Sequence, residues 1–144
     1  MKTLFYYLYQ MKYVLFLPVA LLALMSCNHS NKELNQRISH SDSLAINYFK
    51  GDGTMDTVVA VKIIRDSSKM QQLTNLITES AAETKAPCGY DGSLHFFKMN
   101  QVVEDIYFRM NDEKCMYFFF KEQGKNSAVE LSKEAKELIT SFRK

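Results

Sequence analysis

The chain lacks tryptophan and is poor in the residues that most often carry chemistry or break secondary structure. Its 144 residues include three cysteines, three histidines, five glycines and two prolines. No internal repeat and no low-complexity tract is evident. His29 and His40 lie in a polar N-terminal segment, which leaves His95 as the only imidazole in the predicted folded body. A Ser-His-Asp or Cys-His site in that body would have to use His95.

The chain also lacks an apolar run long enough for a membrane helix. Residues 13–25 (YVLFLPVALLALM) are thirteen residues without charge and follow Lys12, whereas a spanning helix needs about 20. A basic residue, a short apolar run and then small residues are the parts of a secretory signal. The run is followed by Ser26 and Cys27, so the pattern predicts export with removal of residues 1–26 as a signal peptide.

Residues 24–27, LMSC, resemble the lipobox of bacterial lipoproteins, which has a leucine, a small third residue and the cysteine that receives the lipid. Met25 departs from that pattern, in which a small or β-branched residue is usual. The resemblance covers residues 11–27 only. It implies a palmitate-type lipid on Cys27 and anchoring of the exported protein at the cell membrane, facing the periplasm. A start at Met11 would place Lys12 beside the initiating methionine, as is usual in these signals. An N-terminal helix that is never cut is the alternative.

An excess of charge is missing from the predicted mature chain. The whole chain carries 18 basic residues against 16 acidic ones, a net charge of +2. Removal of residues 1–26 takes away Lys2 and Lys12 and no acid, so the two signs then balance at 16 each. A nucleic-acid-binding protein would show a clear excess of basic residues and a basic stripe. We therefore expect no nucleic-acid partner.

Residues 28–42 (NHSNKELNQRISHSD) contain only Leu34 and Ile38 as apolar residues. Such a segment cannot bury enough surface to offset its ordering entropy. The composition therefore predicts a flexible tether over residues 27–43, which would hold the folded body away from the membrane. A short helix around residues 32–38 is the alternative. The remaining residues, 44–144, suffice for one small domain.

The body alternates strand-like and helix-like patterns. A mostly apolar run at residues 44–49 and a β-branched run at residues 58–64 flank a turn that contains Gly51 and Gly53. Apolar residues at helical spacing follow the capping cluster 66–68 and end near residue 83. The rest comprises strand-like runs at 94–99, 102–110 and 115–121, a weak strand at 127–131, and a helix capped by Ser132.

The order of these elements, β-β-α-β-β-β-β-α, predicts an α+β fold. The separators at residues 100–101 and 111–113 are short and polar, so neighbouring strands should pair antiparallel. Helices with one apolar stripe must bury it against another layer. We therefore expect an antiparallel sheet of about five to six strands with two helices packed on one face.

Cys88 and Cys115 remain as an even pair once Cys27 is assigned to lipid. In an oxidising compartment such a pair is most simply a disulfide. The sharper alternative is a zinc site that uses both thiolates and His95, since these are the right ligand types. The spacing from Cys88 to His95 matches no usual zinc knuckle, and no fourth ligand is apparent. We therefore predict the disulfide and no metal.

Aromatic residues are concentrated in three adjacent predicted strands, and in the segment YFFF at residues 117–120 they occupy both faces. Helices on one side bury only one face of the sheet. The other face is covered by the N-terminal hairpin, is simply half exposed, or forms an exposed apolar patch that binds a partner or ligand. The side chains assigned to this candidate binding face are Tyr90, Asp91, His95, Tyr107, Tyr117 and Phe119.

Two functions remain open after the sequence alone. The first is a small lipid-anchored envelope protein that is not an enzyme and binds a protein or small ligand, as an accessory or inhibitor. The second is a small envelope enzyme or metal-binding protein that uses His95 and the loop of Cys88 and Asp91. No G-x-S-x-G motif is present, and Glu104 and Asp105 should point to opposite faces of a strand. We therefore favour the binding protein and expect no cofactor.

Overall fold

A computed structural model describes residues 31–55 and 57–144 of the chain. The predicted signal peptide, the alternative start at Met11 and the predicted lipid site at Cys27 lie outside the described residues. Within them no helix is both long enough and apolar enough to cross a membrane.

The described residues form three helices and seven strands. Along the chain these are α1 (Lys32–Ile38), β1 (Ser43–Gly53), β2 (Val58–Ile64), α2 (Ser67–Thr78), β3 (Glu83–Thr84), β4 (Tyr90–Lys98), β5 (Gln101–Arg109), β6 (Tyr117–Glu122), β7 (Lys125–Glu130) and α3 (Lys133–Arg143). The strands build one sheet in the order β2-β1-β4-β5-β6-β7-β3, and every neighbouring pair is antiparallel.

The predicted class, α+β with an antiparallel sheet, is confirmed, but the predicted numbers of strands and helices were too small. The seventh strand is β3, which has only two residues and pairs Glu83 and Thr84 with β7. A strand of two residues is too short to show an alternation of apolar and polar side chains, so the sequence pattern could not predict β3. The third helix is α1.

Helix α1 replaces part of the predicted tether and corresponds to the alternative of a short helix. Its two apolar residues, Leu34 and Ile38, are four positions apart and therefore lie on one helix face, and both are fully buried. The side chain of Asn31 caps the helix by accepting from the amide of Leu34. The Asn31 amide in turn donates to the carbonyl of Thr78 at the end of α2. Two buried side chains and these bonds order a segment that looked too polar to fold.

The other two helices each begin at a side chain that caps the helix N-terminus. Asp66 caps α2 by accepting from the amides of Ser68 and Lys69, and α2 ends at Thr78 rather than near residue 83 because the chain leaves it for β3. Ser132 caps α3 as predicted, accepting from the amide of Ala135 at 3.1 Å.

All three helices cover the same face of the sheet. Leu34 of α1, Leu73 of α2 and Ile139 of α3 belong to one buried cluster with Leu94 and Phe96 of β4. Because side chains alternate along a strand, the residues between these point to the other side, which carries no helix of the described chain. We call that side the open face.

Candidate functional site

Aromatic side chains form a second, smaller cluster on the open face. The ring of Tyr90 lies 5.0 Å from that of Tyr107 and 5.9 Å from that of Phe119, between ring centroids. Tyr117 lies 6.0 Å from Phe119. These separations are typical of paired aromatic rings. Phe119 is buried and the three tyrosines are half-buried, so four of the six residues predicted for the binding face do lie together.

The segment between β3 and β4 covers one end of this aromatic cluster. Lys85 places its Nζ 3.6 Å from the centre of the Tyr117 ring, a cation–π contact. Cys88 and Cys115 lie at disulfide distance, with 6.5 Å between their Cα atoms, which matches the predicted pair. The alternative zinc ligands do not gather with His95, and the described part of the chain holds no cluster of three or more metal-ligating side chains.

Beside the aromatic cluster, strands β5 and β6 separate. Strands β5 and β6 pair only through Tyr107 with Phe119, Phe108 with Phe118, and Arg109 with Tyr117. Residues 101–106 of β5 pair with β4 on one side and with no described strand on the other. The gap holds a depression of about 480 Å³, which we call the cleft. It is lined by Pro87, Tyr90, Val102, Val103, Glu104, Asp105, Tyr107, Phe119, Phe120, Lys121 and Asn126.

The cleft combines exposed valines with carboxylates. Val102 and Val103 are 49% and 36% exposed. Val102 pairs with Phe97 and Glu104 pairs with Phe96, so Val103 is the extra residue of a bulge in the β4–β5 register. Glu104 binds Arg37 of α1 at 2.5 Å. Burial nevertheless raises the pKa of Glu104 above its ordinary value, an effect that Arg37 partly offsets.

His95 lies on the open face at the centre of a polar network. Its Nδ1 is 2.6 Å from Oδ1 of Asp105, and its Nε2 is 2.8 Å from Oγ of Ser93 and 3.0 Å from Nδ2 of Asn47. The order Ser, His, Asp and the distances are those of a hydrolytic triad. Ser93, however, is only 2% exposed, so a substrate could reach its Oγ only if a neighbouring side chain moved.

Asp91 does not contribute an accessible group to the open face. It is 2% exposed, and its carboxylate accepts from Nη1 of Arg109 at 2.8 Å and from the amides of Met110 and Asn111 at 2.7 and 2.8 Å. These bonds fix the chain where it leaves β5. The structure therefore does not bring Asp91 to the candidate binding face with the tyrosines, because its carboxylate is fully engaged inside the protein.

The prediction that Glu104 and Asp105 point to opposite faces of the strand agrees with the structure, but the partners of His95 were not predicted. Glu104 faces the helices and Arg37, while Asp105 faces His95 on the other side. Ser93 could have been found, since it is two residues from His95 on the same strand and must share its face. Asn47 and Asp105 depend on strand order and register, which local patterns do not contain.

Comparison with known proteins adds no assignment: no protein-family model, no curated protein and no solved structure matches this chain.

Proposed function

We propose that this protein is a lipid-anchored envelope protein that binds another protein through its open face, at the cleft between β5 and β6. It would be exported by the signal at residues 1–26, carry a lipid on Cys27 and act as an accessory or inhibitor without catalysis of its own. The single observation that carries the binding site is the divergence of β5 and β6, which leaves a strand edge and exposed valines beside an aromatic cluster.

The free edge of β5 favours an extended segment of the partner. Backbone N–H and C=O groups that pair with no neighbouring strand can bind an added strand, and nearby pockets can then take alternate side chains. Tyr90, Tyr107 and Pro87 line the cleft beside this edge and supply rigid apolar surface. Tyrosine side chains are enriched where binding energy is concentrated.

The charges of the cleft favour a partner segment with a basic residue. Glu104 and Asp105 line it, with Lys121 as the basic side chain of the lining. Lys121 donates to Oδ1 of Asn126 at 2.5 Å, and Arg37 already pairs with Glu104. Asp105, half exposed, is the carboxylate that a basic side chain could approach. Complementary charge would raise the association rate and the specificity more than the affinity.

Photocrosslinking in intact cells tests this proposal. A photoreactive amino acid at Val103, in the cleft, should yield a discrete adduct with one envelope protein. The same residue at Lys136, on α3, should not. A second comparison uses charge: Val103→Asp should abolish the adduct formed from a probe at Val102, whereas Met99→Asp, at an 80% exposed position of the same hairpin, should preserve it. Equal adducts at Val103 and Lys136 would contradict a binding site in the cleft.

A hydrolytic function is the second candidate, and the His95 network is the observation that favours it. Asp105 can orient the imidazole, whose Nε2 is within reach of the Ser93 hydroxyl proton. If Ser93 is a nucleophile, a fluorophosphonate probe should label the wild type. The labelling should then vanish in Ser93→Ala and persist in Ser43→Ala, which removes another hydroxyl near the same sheet. Absence of labelling in the wild type would leave the network with a structural role only.

A further inference from the structure

We infer that β2 is an interaction edge, at which two copies of this chain pair their β2 strands antiparallel about a twofold axis. This inference concerns the opposite end of the sheet from the cleft and does not depend on the proposed partner. Strand β2 is the first strand in the sheet order and, within the described residues, pairs on one side only, with β1. It exposes four large aliphatic side chains: Val58 at 49%, Val59 at 47%, Val61 at 56% and Ile63 at 53%.

The devices that usually protect a sheet edge are nearly absent from β2. Edge strands are commonly short, charged or interrupted by proline. Strand β2 has seven residues, VVAVKII, with Lys62 as its one charge and no proline. Its irregularity is a bulge near Val59, opposite Tyr48 and Phe49, which leaves residues 60–64 in regular register. An edge of this kind is a template for another strand.

The other edge of the sheet argues for a symmetric pairing. Strand β3 has two residues, and both of them, Glu83 and Thr84, are exposed and polar. It is too short and too polar to accept β2 of a second copy. A head-to-tail pairing of β2 with β3 of the next copy, which would grow into a filament, is therefore disfavoured relative to a closed twofold dimer of two β2 strands.

The sequence of β2 is self-complementary about Val61, the midpoint of the strand Val58–Ile64. An antiparallel pairing centred there uses the whole strand. It places Ile63 opposite Val59 of the second copy, and Val61 opposite its own counterpart. Lys62 falls opposite Ala60 rather than opposite another Lys62, so no like charges face each other. The exposed apolar side chains on the open side of the two strands would pack beside one another.

The pairing should be weak in dilute solution. One strand pair offers much less surface than the interfaces of obligate dimers, which bury about 2,000 Å² or more. Two copies held in one membrane plane would meet at a far higher effective concentration. The association should therefore be strongest for the protein in its membrane.

Cysteine crosslinking of the full chain in isolated membranes tests both the partner and the register. Val61→Cys places two thiols opposite each other at the axis, so mild oxidation should produce a dimer that reductant dissolves. Ile63→Cys is the matched variant on the same strand and face, with similar exposure. Its counterpart should lie about four residues away along the strand, on the order of 14 Å, and should crosslink at least tenfold less.

Three further variants complete the test. Met99→Cys, at an 80% exposed position in the turn between β4 and β5, reports random collision and should behave as Ile63→Cys does. Val61→Lys places like charges at the axis and should reduce the dimer fraction measured by sedimentation in detergent, whereas Met99→Lys should not. The proposal is overturned if Val61→Cys crosslinks no more than Met99→Cys, if Val61 and Ile63 crosslink equally, or if Val61→Lys leaves sedimentation unchanged.

Discussion

At the scale of single residues, Asp91 and Tyr48 are two buried side chains whose polar atoms form hydrogen bonds inside the protein. Asp91 binds a guanidinium and two backbone amides, and Tyr48 donates its hydroxyl to the carbonyl of Ile139 at 2.7 Å. Such groups cost free energy to bury and are stabilising only while their partners remain. Removing the Asp91 carboxylate or the Tyr48 hydroxyl should therefore lower the free energy of unfolding by more than the few atoms removed would suggest.

Asp91→Ala should lower the free energy of unfolding by about 3 kcal/mol, because it leaves the Arg109 side chain and two amides without their carboxylate. Urea denaturation followed by circular dichroism measures the change. Glu137→Ala, at an exposed carboxylate on α3, is the control and should stay within about 0.5 kcal/mol of the wild type. An equal effect of the two substitutions would contradict the structural role of Asp91.

Tyr48 should make the protein sensitive to alkali. Burial raises the pKa of Tyr48 from 10.0 to about 12, against the smaller opposing effect of Arg143. The folded state therefore holds this proton more tightly than the unfolded state, so its contribution is complete below about pH 10 and is lost as the pH rises towards 12. Tyr48→Phe should cost about 1 kcal/mol at neutral pH.

The comparison of the two proteins across pH is the decisive measurement for Tyr48. The stability advantage of the wild type over Tyr48→Phe should shrink above about pH 10, as followed by urea denaturation at several pH values. Because both proteins share every other titrating group, the difference isolates Tyr48. A constant difference between about pH 8 and 11 would show that the hydroxyl does not titrate as the structure indicates.

At the scale of elements, the sequence predicted what local patterns determine. The β2 boundaries, residues 58–64, and the Ser132 cap of α3 were right because alternation and capping are local. Helix α1 was predicted only as the alternative to a flexible tether. Its stability comes from the packing of Leu34 and Ile38 against elements distant in the sequence, which local patterns do not show. The cleft was missed for the same reason. It depends on the pairing register of β5 and β6, which the sequence of one strand alone does not determine. An exposed face of the sheet was predicted only as one of several alternatives.

The segment between β3 and β4 depends on the cysteine pair for its attachment to the open face. Cys88 and Cys115 are separated by 27 residues, and closing a loop of this length contributes about 3 to 4 kcal/mol. The double variant Cys88→Ala with Cys115→Ala should lose about that much stability. Reductant should shift the wild-type denaturation midpoint similarly and leave the double variant unchanged. If reductant does not change the denaturation midpoint of the wild type, Cys88 and Cys115 are not oxidised to a disulfide.

At the scale of the whole molecule, helix α1 changes how the body would sit relative to a lipid on Cys27. The tether predicted over residues 27–43 would have held the domain away from the membrane. In the structure Asn31 already belongs to the folded body, since its amide donates to the carbonyl of Thr78 at 2.9 Å. Only residues 28–30 then separate Cys27 from the body. Four residue steps reach at most about 14 Å when fully extended.

A lipidated protein should therefore hold the end of α2 close to the bilayer surface. A donor fluorophore on Glu79→Cys, an exposed position next to Thr78, should transfer energy efficiently to acceptors on lipid headgroups in vesicles. Insertion of twelve Gly and Ser residues after Asn28 lengthens the connection without touching the fold, and should lower the transfer, because a flexible linker gains reach with its length. Equal transfer with and without the insertion would contradict a body held close by α1, while protein that fails to bind vesicles would contradict the lipid on Cys27.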